Sequence, residues 1–390
     1  MTTARRSEVI VVGLGAMGSA TCCQLATRGV SVTGIDQYAP PHPYGSTHGD
    51  SRITRLAVGE GAEYMPLVRR SHELWPELES QTGARLLTQC GGLILSRPAS
   101  PFFEETKALA RRFAVEHEQL SNAEVRQRFP MFAIDDETEA YYEPAAGYVR
   151  PEVAVTAQLR LARENGTQLR FNERVSDWSA SPNGVSVTTD DGVYAADQLV
   201  LCAGPWIREL FPESAELVAV HRQLMYWFPI RDGYQRLADM PIFVWDFGGE
   251  RPEFVHLDGF YGFPALDGPL GGLKLGTGSH EATTTPDGRQ HPASAAEIAT
   301  MYRDYVQPRL PWLGAEPART ASCLYTSTRG SRFAIDRHPD HDSVVVVSAC
   351  SGHGFKHSPA IGEAVADLVT GAAGGPELDL SPFRLANALR

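Results

Sequence analysis

The stretch from Val9 to Asp36 constrains this chain more than any other. Val9-Ile10-Val11-Val12 is a short β-branched run of the kind that forms a buried strand. Gly13-Leu14-Gly15-Ala16-Met17-Gly18 follows at once and opens a helical pattern that passes Leu25 and Ala26 and stops at Gly29. Val30 to Ile35 reads as a second strand with Asp36 at its tip. Each part has a task. Gly13 permits the tight turn, Gly15 lets backbone N–H groups approach a pyrophosphate, and Gly18 lets the helix lie close on the sheet. The helix N-terminus supplies positive dipole, and Asp36 can accept hydrogen bonds from an adenosine ribose. A strand before, a helix after and an acid at the next strand's end meet the contextual test for dinucleotide binding. The motif does not choose between NAD and FAD.

A chain of 390 residues has room for two or three domain-sized cores. Its formal charge of −12, with no basic patch to offset it, argues against a nucleic-acid surface. The first residues run directly into a strand with no signal-peptide pattern, and no apolar run could span a bilayer, so a cytoplasmic protein without a membrane partner is expected. The six cysteines show no CxxC pairing and read as reduced, mostly buried thiols, Cys22 and Cys23 in the core. Only three lysines (Lys107, Lys274 and Lys356) stand among 35 basic residues. Lys107 lies among charges and reads as surface. Lys274 and Lys356 lie in Gly-rich apolar settings, where a chain that otherwise writes arginine has used the compact, pKa-tunable ammonium.

After Asp36 comes a Pro/Gly-rich loop that gathers His48, Asp50, Arg52 and Arg55, and long loops in compact domains tend to be functional. Helices are expected from Pro66 to Gly83, around Thr106 to Phe113, from Ala123 to Phe129 behind the capping box Ser121-x-x-Glu124, and from Pro151 to Asn165. Leu199 to Trp206 is a buried strand that breaks at Gly204, a second expected dinucleotide contact. Val218 to Ile230 and Gly259 to Gly276 are strand-like and aromatic. The carboxyl end returns to α/β character: Val344 to Ser348, the break Cys350-Ser-Gly352-His353-Gly354-Phe355-Lys356, then a helix to Leu368. The expected fold is α/β (α+β overall). A discontinuous Rossmann-like cofactor domain (residues 1–85, 148–215 and 320–390) accompanies a substrate domain (86–147 and 216–319) on a mostly antiparallel sheet. His338-Pro-Asp-His341 reads as a turn without a third ligand nearby in sequence, so no metal site is expected.

The first motif, the loop Gly-Ser-Thr-His48-Gly-Asp-Ser-Arg52-Ile-Thr-Arg55, the Lys274 strand, Cys323-Leu-Tyr325-Thr and Ser351-Gly-His-Gly-Phe-Lys356 occur in one order. Taken together, the chain resembles the monomeric sarcosine oxidase and N-methyltryptophan oxidase family, flavin amine oxidases of the D-amino-acid oxidase type. The resemblance runs from the first strand to the last helix. It implies a Rossmann-like FAD-binding domain, a monomer, and FAD attached by a thioether from Cys323 to the 8α carbon of the flavin. The physics is consistent, because a thiolate can add to the flavin's methide tautomer and a nearby cation would favour that thiolate.

The resemblance also implies that Lys274 promotes reoxidation by O₂, since a positive charge stabilises superoxide developing beside reduced flavin. Arg55 and Lys356 match a clamp for the substrate carboxylate. Arg52 and His48 match residues that tune the flavin ring, and Tyr261 and Tyr325 match tyrosines of the amine pocket. Cofactor contacts are implied for Gly13, Gly15, Ala16, Met17, Gly18, Asp36, Gln37, Ser46, Thr47, His48, Arg52, Val175, Gly204, Trp206 and Cys323, and for Gly352, His353, Gly354, Phe355 and Lys356. The chain departs from the pattern where Gly278 stands in place of a family histidine that contacts substrate, with His280 two residues later. Trp245 to Glu253 and the turn Leu266-Asp-Gly-Pro differ too, and His42, Thr47 and Pro205 are milder changes.

The expectation is FAD-dependent oxidation of a carboxylate-bearing secondary amine, such as sarcosine, an N-methyl amino acid or a cyclic imino acid, to an imine that water hydrolyses, with O₂ reduced to H₂O₂. The alternatives are a flavin dehydrogenase that hands electrons to another acceptor and a flavoprotein without turnover.

Overall fold

In the computed structural model, residues 5–231, 233, 235, 237, 240–249, 257–278, 283–290, 292–371 and 378–388 are described. The expectations for His280 and for Glu250 to Glu253 fall outside them.

The β-branched run at Val9–Val12 forms a fully buried strand, and four further segments join its sheet in the order Gln168–Phe171, Val32–Asp36, Val9–Val12, Gln198–Leu201, His341–Ser348. All four of these pairings are parallel, and Ala334–His338 closes the edge antiparallel. Buried on both faces, such strands carry near-continuous apolar runs, as Val344 to Val347 do. Helix Ala16–Thr27 packs between Pro151–Glu164 and Ser358–Thr370, and the last of these rests on Met65–Thr82. The expected Rossmann-like unit is therefore present, its first strand central and its helix N-terminus at the strand's carboxyl end.

A second sheet has eight strands in the order Arg319–Thr328, Val218–Phe228, Leu273–Thr277, Gly259–Gly262, Ile242–Asp246, Gly92–Ser96, Glu139–Glu143, Glu118–Leu120. Every pairing is antiparallel except that of Ile242–Asp246 with Gly92–Ser96. Register decides which residues meet. Cys323 lies opposite Gln223, Lys274 opposite Trp227, Gly276 opposite both Met225 and Tyr261, and Tyr261 opposite Val244. Because side chains alternate with a period of two, Cys323, Tyr325, Lys274 and Tyr261 share one face. The other face carries Tyr226, Phe228, Phe243, Trp245, Phe260 and Leu275 into a separate aromatic core.

Several local expectations are corrected. The helix expected from Thr106 begins at Pro101, whose ring suits the first helical turn, and runs to Arg112. Lys107 is not at the surface. It is 8% exposed, paired with Glu104 at 2.6 Å and Glu139 at 3.3 Å, over the ring of Phe103. Arg319–Thr328 is a ten-residue strand of the large sheet, and the boundary expected at residue 320 falls at its start. The chain rejoins the parallel sheet only at Ala334.

Candidate active site

One cleft of about 1850 Å³, its open mouth included, runs from the glycine turn to the large sheet. Gly13 has φ +87°, and a Cβ there would stand 2.4 Å from the carbonyl oxygen of Cys202. At Gly18 a Cβ would meet the Gly13 carbonyl at 1.8 Å, so the helix can approach its own strand only through these two glycines. Asp36 ties this turn together, accepting from Leu14 N–H at 2.7 Å and from Tyr38 N–H at 2.9 Å. Gly13, Gly15, Ala16, Met17, Asp36 and Gln37 line this end. Ser46, Thr47, Val175, Gly204 and Trp206 line the middle, and Gly352 to Lys356 the floor beyond the second strand break. The Ser46, Thr326 and Ser348 hydroxyls along it are buried without a protein partner, capacity that a polar ligand satisfies. A backbone cradle, an acid at the second strand's tip and unmet hydroxyls fit the dinucleotide FAD.

The loop from Gly45 to Arg55 forms part of the cleft wall. Arg52 donates to the carbonyls of Ser46 at 2.8 Å and Ser51 at 2.9 Å, and its guanidinium lies 3.8 Å from Cys323 Sγ. Burial pushes the Cys323 thiol up, and the downward pull of Arg52 is smaller. The expectation that a neighbouring cation would favour the thiolate is thus outweighed here by desolvation. Burial pushes His48 down to about 3, with Arg52 and Lys274 adding to the fall, so its imidazole is neutral. His48, Cys323 and Gly18 stand behind the cleft wall and do not line it. Gly49 and Asp50 N–H groups both donate to one Glu152 oxygen, at 2.5 and 3.1 Å, which holds Asp50 at φ +71°.

Lys274 is 3% exposed and donates to the Ser51 carbonyl at 2.7 Å, with its ammonium 4.6 Å from the ring centre of Phe263. Burial drives it well below the ordinary lysine range, and Arg52 pushes the same way. The other cationic pair converges on an acid. Glu60 receives Arg55 at 2.8 Å on one oxygen and Lys356 at 3.3 Å on the other, while Lys356 also donates to the His353 carbonyl at 2.9 Å. Burial pushes Lys356 down to about 8 despite the opposing pull of Glu60. Between the two ends, the hydroxyls of Tyr261 and Tyr325 meet at 3.1 Å, and burial raises both. Phe102, Val244 and Leu257 give the cleft an apolar wall there. Gly278 abuts that wall: a Cβ on it would stand 2.1 Å from the Leu257 carbonyl, so the packing admits no side chain.

Sequence reading brought Arg55 and Lys356 together but missed Glu60, although Gly59-Glu60-Gly61 sits five residues after Arg55 in an otherwise apolar turn. Among the described residues no cluster could hold a metal ion, and no helix is long and apolar enough to cross a membrane.

The FAD dependent oxidoreductase (DAO) family model matches residues 8–368. The chain is 39% identical over 385 residues to monomeric sarcosine oxidase of Streptomyces avermitilis, which covers 98% of each chain. It is 35% identical over 385 residues to N-methyl-L-tryptophan oxidase of Yersinia pestis, at 97% and 98% coverage. Among solved structures, the open form of NikD, an unusual amino acid oxidase essential for nikkomycin biosynthesis, superposes with a TM-score of 0.83 at 25% identity, over 98% of each chain. L-proline dehydrogenase from P. horikoshii shares the fold, with a TM-score of 0.81 at 22% identity over 98% and 97%. The match begins at the strand that opens the glycine turn and ends in the helix that follows Lys356, so the chain belongs to the FAD dependent oxidoreductase family.

Proposed function

We propose that the enzyme oxidises a secondary amine bearing a carboxylate, such as sarcosine, another N-methyl amino acid or a cyclic imino acid, with O₂ as acceptor. One observation carries this reading. Arg55 and Lys356 converge on a single carboxylate, that of Glu60, inside the cleft that holds the glycine turn. Glu60 stands where a substrate carboxylate fits, and charge-assisted hydrogen bonds of this kind are selective for it. The relatives named for sarcosine and N-methyltryptophan oxidation support the same substrate class.

When bound, FAD supplies the redox chemistry; the protein supplies position and electrostatics. Gly13, Gly15 and the following helix N-terminus would receive its pyrophosphate, and Asp36 its ribose. Arg55 and Lys356 take the substrate carboxylate in exchange for that of Glu60 and turn the amine towards Tyr261 and Tyr325. An apolar wall and the nearby cations favour the neutral amine, the form that can be oxidised. Lys274 has no carboxylate in ion-pair contact among the described residues, so its amine is left for oxygen, where a proton held on it would stabilise the negative charge that develops. His48 and Arg52 stand at the same end and shape the field there.

We also propose a thioether between FAD and Cys323. Its support is a buried thiol directly behind the cleft wall, beside the Arg52 guanidinium and 3.6 Å from the carbonyl of Ser46, which lines the cleft. Acid-precipitated protein should stay yellow, and Cys323→Ser should release its flavin to the supernatant. A colourless wild-type pellet would rule the bond out. The function itself is tested by a panel of sarcosine, N-methyl aromatic amino acids, proline and pipecolate scored by H₂O₂. One equivalent of peroxide per turnover separates the oxidase from a dehydrogenase, and no flavin bleaching by any carboxylated amine would sink both.

A further inference from the structure

Arg55 is seated by a turn that does not hold itself. Its guanidinium donates through Nη1 to the carbonyl of Ala57 and through Nη2 to Glu60, and it lies 5.2 Å from the ring centre of Phe102. The position of Ala57 therefore sets the position of the guanidinium. Leu56 and Ala57 direct their N–H groups at the two oxygens of one carboxylate, Glu143, at 2.5 and 3.1 Å. Glu143 ends the strand Glu139–Glu143 of the large sheet, is 1% exposed, and receives a third bond at 3.1 Å from the buried hydroxyl of Tyr141. It does not line the cleft.

A carboxylate this deep is costly to bury, and burial does push its pKa up, against the combined pull of the Leu56 and Ala57 N–H groups, Arg55 and Tyr141. Two buried backbone N–H groups could have been met by neutral carbonyls, as in most turns. An acid in that place adds a rigid fork and a negative charge behind the guanidinium. It also comes from the eight-stranded sheet, whereas Arg55 follows the short strand Arg52–Thr54 of a separate three-stranded sheet.

We propose that Glu143 is the positioning residue of the substrate-carboxylate clamp: by fixing the Leu56–Ala57 turn from the large sheet, it aims Arg55 at the ligand. This rests on the reading that Arg55 binds the substrate carboxylate. It predicts an effect confined to carboxylate recognition. Glu143→Ala leaves two N–H groups unmet and frees the turn. Glu143→Gln keeps one acceptor oxygen, and Tyr141→Phe removes only the third bond.

The test uses the full-length flavin-loaded enzyme, with benzoate binding followed by the change in flavin absorbance and with KM and kcat for the best amine of the panel. Glu143→Ala should raise the benzoate Kd and KM by about tenfold or more while kcat stays within about threefold, Glu143→Gln should recover most of the loss, and Tyr141→Phe should cost about twofold. Melting temperatures identify any variant that fails to fold, in which case Glu143→Gln and Tyr141→Phe decide. Wild-type benzoate affinity in all folded variants, or a fall in kcat that matches the rise in KM, would overturn the proposal. Arg55→Met separates the two levels. If it too binds benzoate like wild type, the clamp reading fails and takes this inference with it. If it loses benzoate while the Glu143 variants do not, only the inference fails.

Discussion

Lys274 and Lys356 are the same residue, equally buried, at two ends of one cleft, yet their surroundings differ in kind. Lys356 shares a carboxylate with Arg55. Lys274 touches a backbone carbonyl and aromatic faces, and the charged side chain that acts on it most strongly is Arg52, a cation. A paired ammonium can exchange its partner for another carboxylate and so recognises one. An amine in a dry site with no carboxylate partner among the described residues is left for charge that does not yet exist, which is the arrangement that lowers barriers rather than binds ground states. Position in the fold follows the same division. Lys274 projects from the second residue of a sheet strand, and Lys356 from the turn that begins a helix.

Three experiments break or sharpen this contrast. The largest effect is expected from Lys274→Met, which should slow the O₂ half-reaction by about a hundred- to a thousandfold and leave reduction by substrate within a few-fold in stopped flow. Equal slowing of both halves would erase the distinction between the lysines. Lys356→Met should do the reverse, raising KM for carboxylated amines by roughly a hundredfold with O₂ reactivity little changed, because one buried charge-assisted contact is lost. The smallest effect is in pH. Lys356, pushed down to about 8, is charged below that value and neutral above it. A ligand carboxylate prefers the charged form, so benzoate Kd should be flat below about pH 8 and rise above it, by at most about tenfold per pH unit. A flat profile through pH 9.5 would mean that Arg55 alone carries the ligand.

The local part of this architecture was legible in the sequence. The glycine turn and its acid lie within 28 residues, from Val9 to Asp36, where spacing alone implies geometry. The two functional lysines were visible through rarity, since the chain uses arginine almost everywhere else. What spacing cannot convey is pairing across the chain. Glu143 meets Leu56 and Ala57 from 87 and 86 residues away, and Glu152 meets Gly49 from 103. Each sits in a stretch that reads as ordinary surface charge. Lys107 was misread for a related reason: its partner Glu104 resembles a solvated helix pair, and nothing nearby announces Glu139 or the stacking on Phe103. The strand Arg319–Thr328 escaped notice because Thr320, Ala321 and Ser322 dilute its alternation, and its identity comes from a ten-residue ladder with Val218–Phe228.

The alternation of that ladder carries a consequence for how such an enzyme can change. Lys274 and Tyr261 hang from adjoining strands whose far side carries Leu273, Leu275 and Phe260 into the packed aromatic layer, and Cys323 and Tyr325 hang from the strand at one end of the same sheet. Adding or deleting one residue in the strand of Lys274 or Tyr261 would swing that group into the layer and Leu275 or Phe260 towards the cleft, and a one-residue shift in Arg319–Thr328 would turn Cys323 and Tyr325 off the face they share with Lys274. Length variation is therefore closed to the oxidising face, and a change of substrate has to come through substitutions that keep each strand's register.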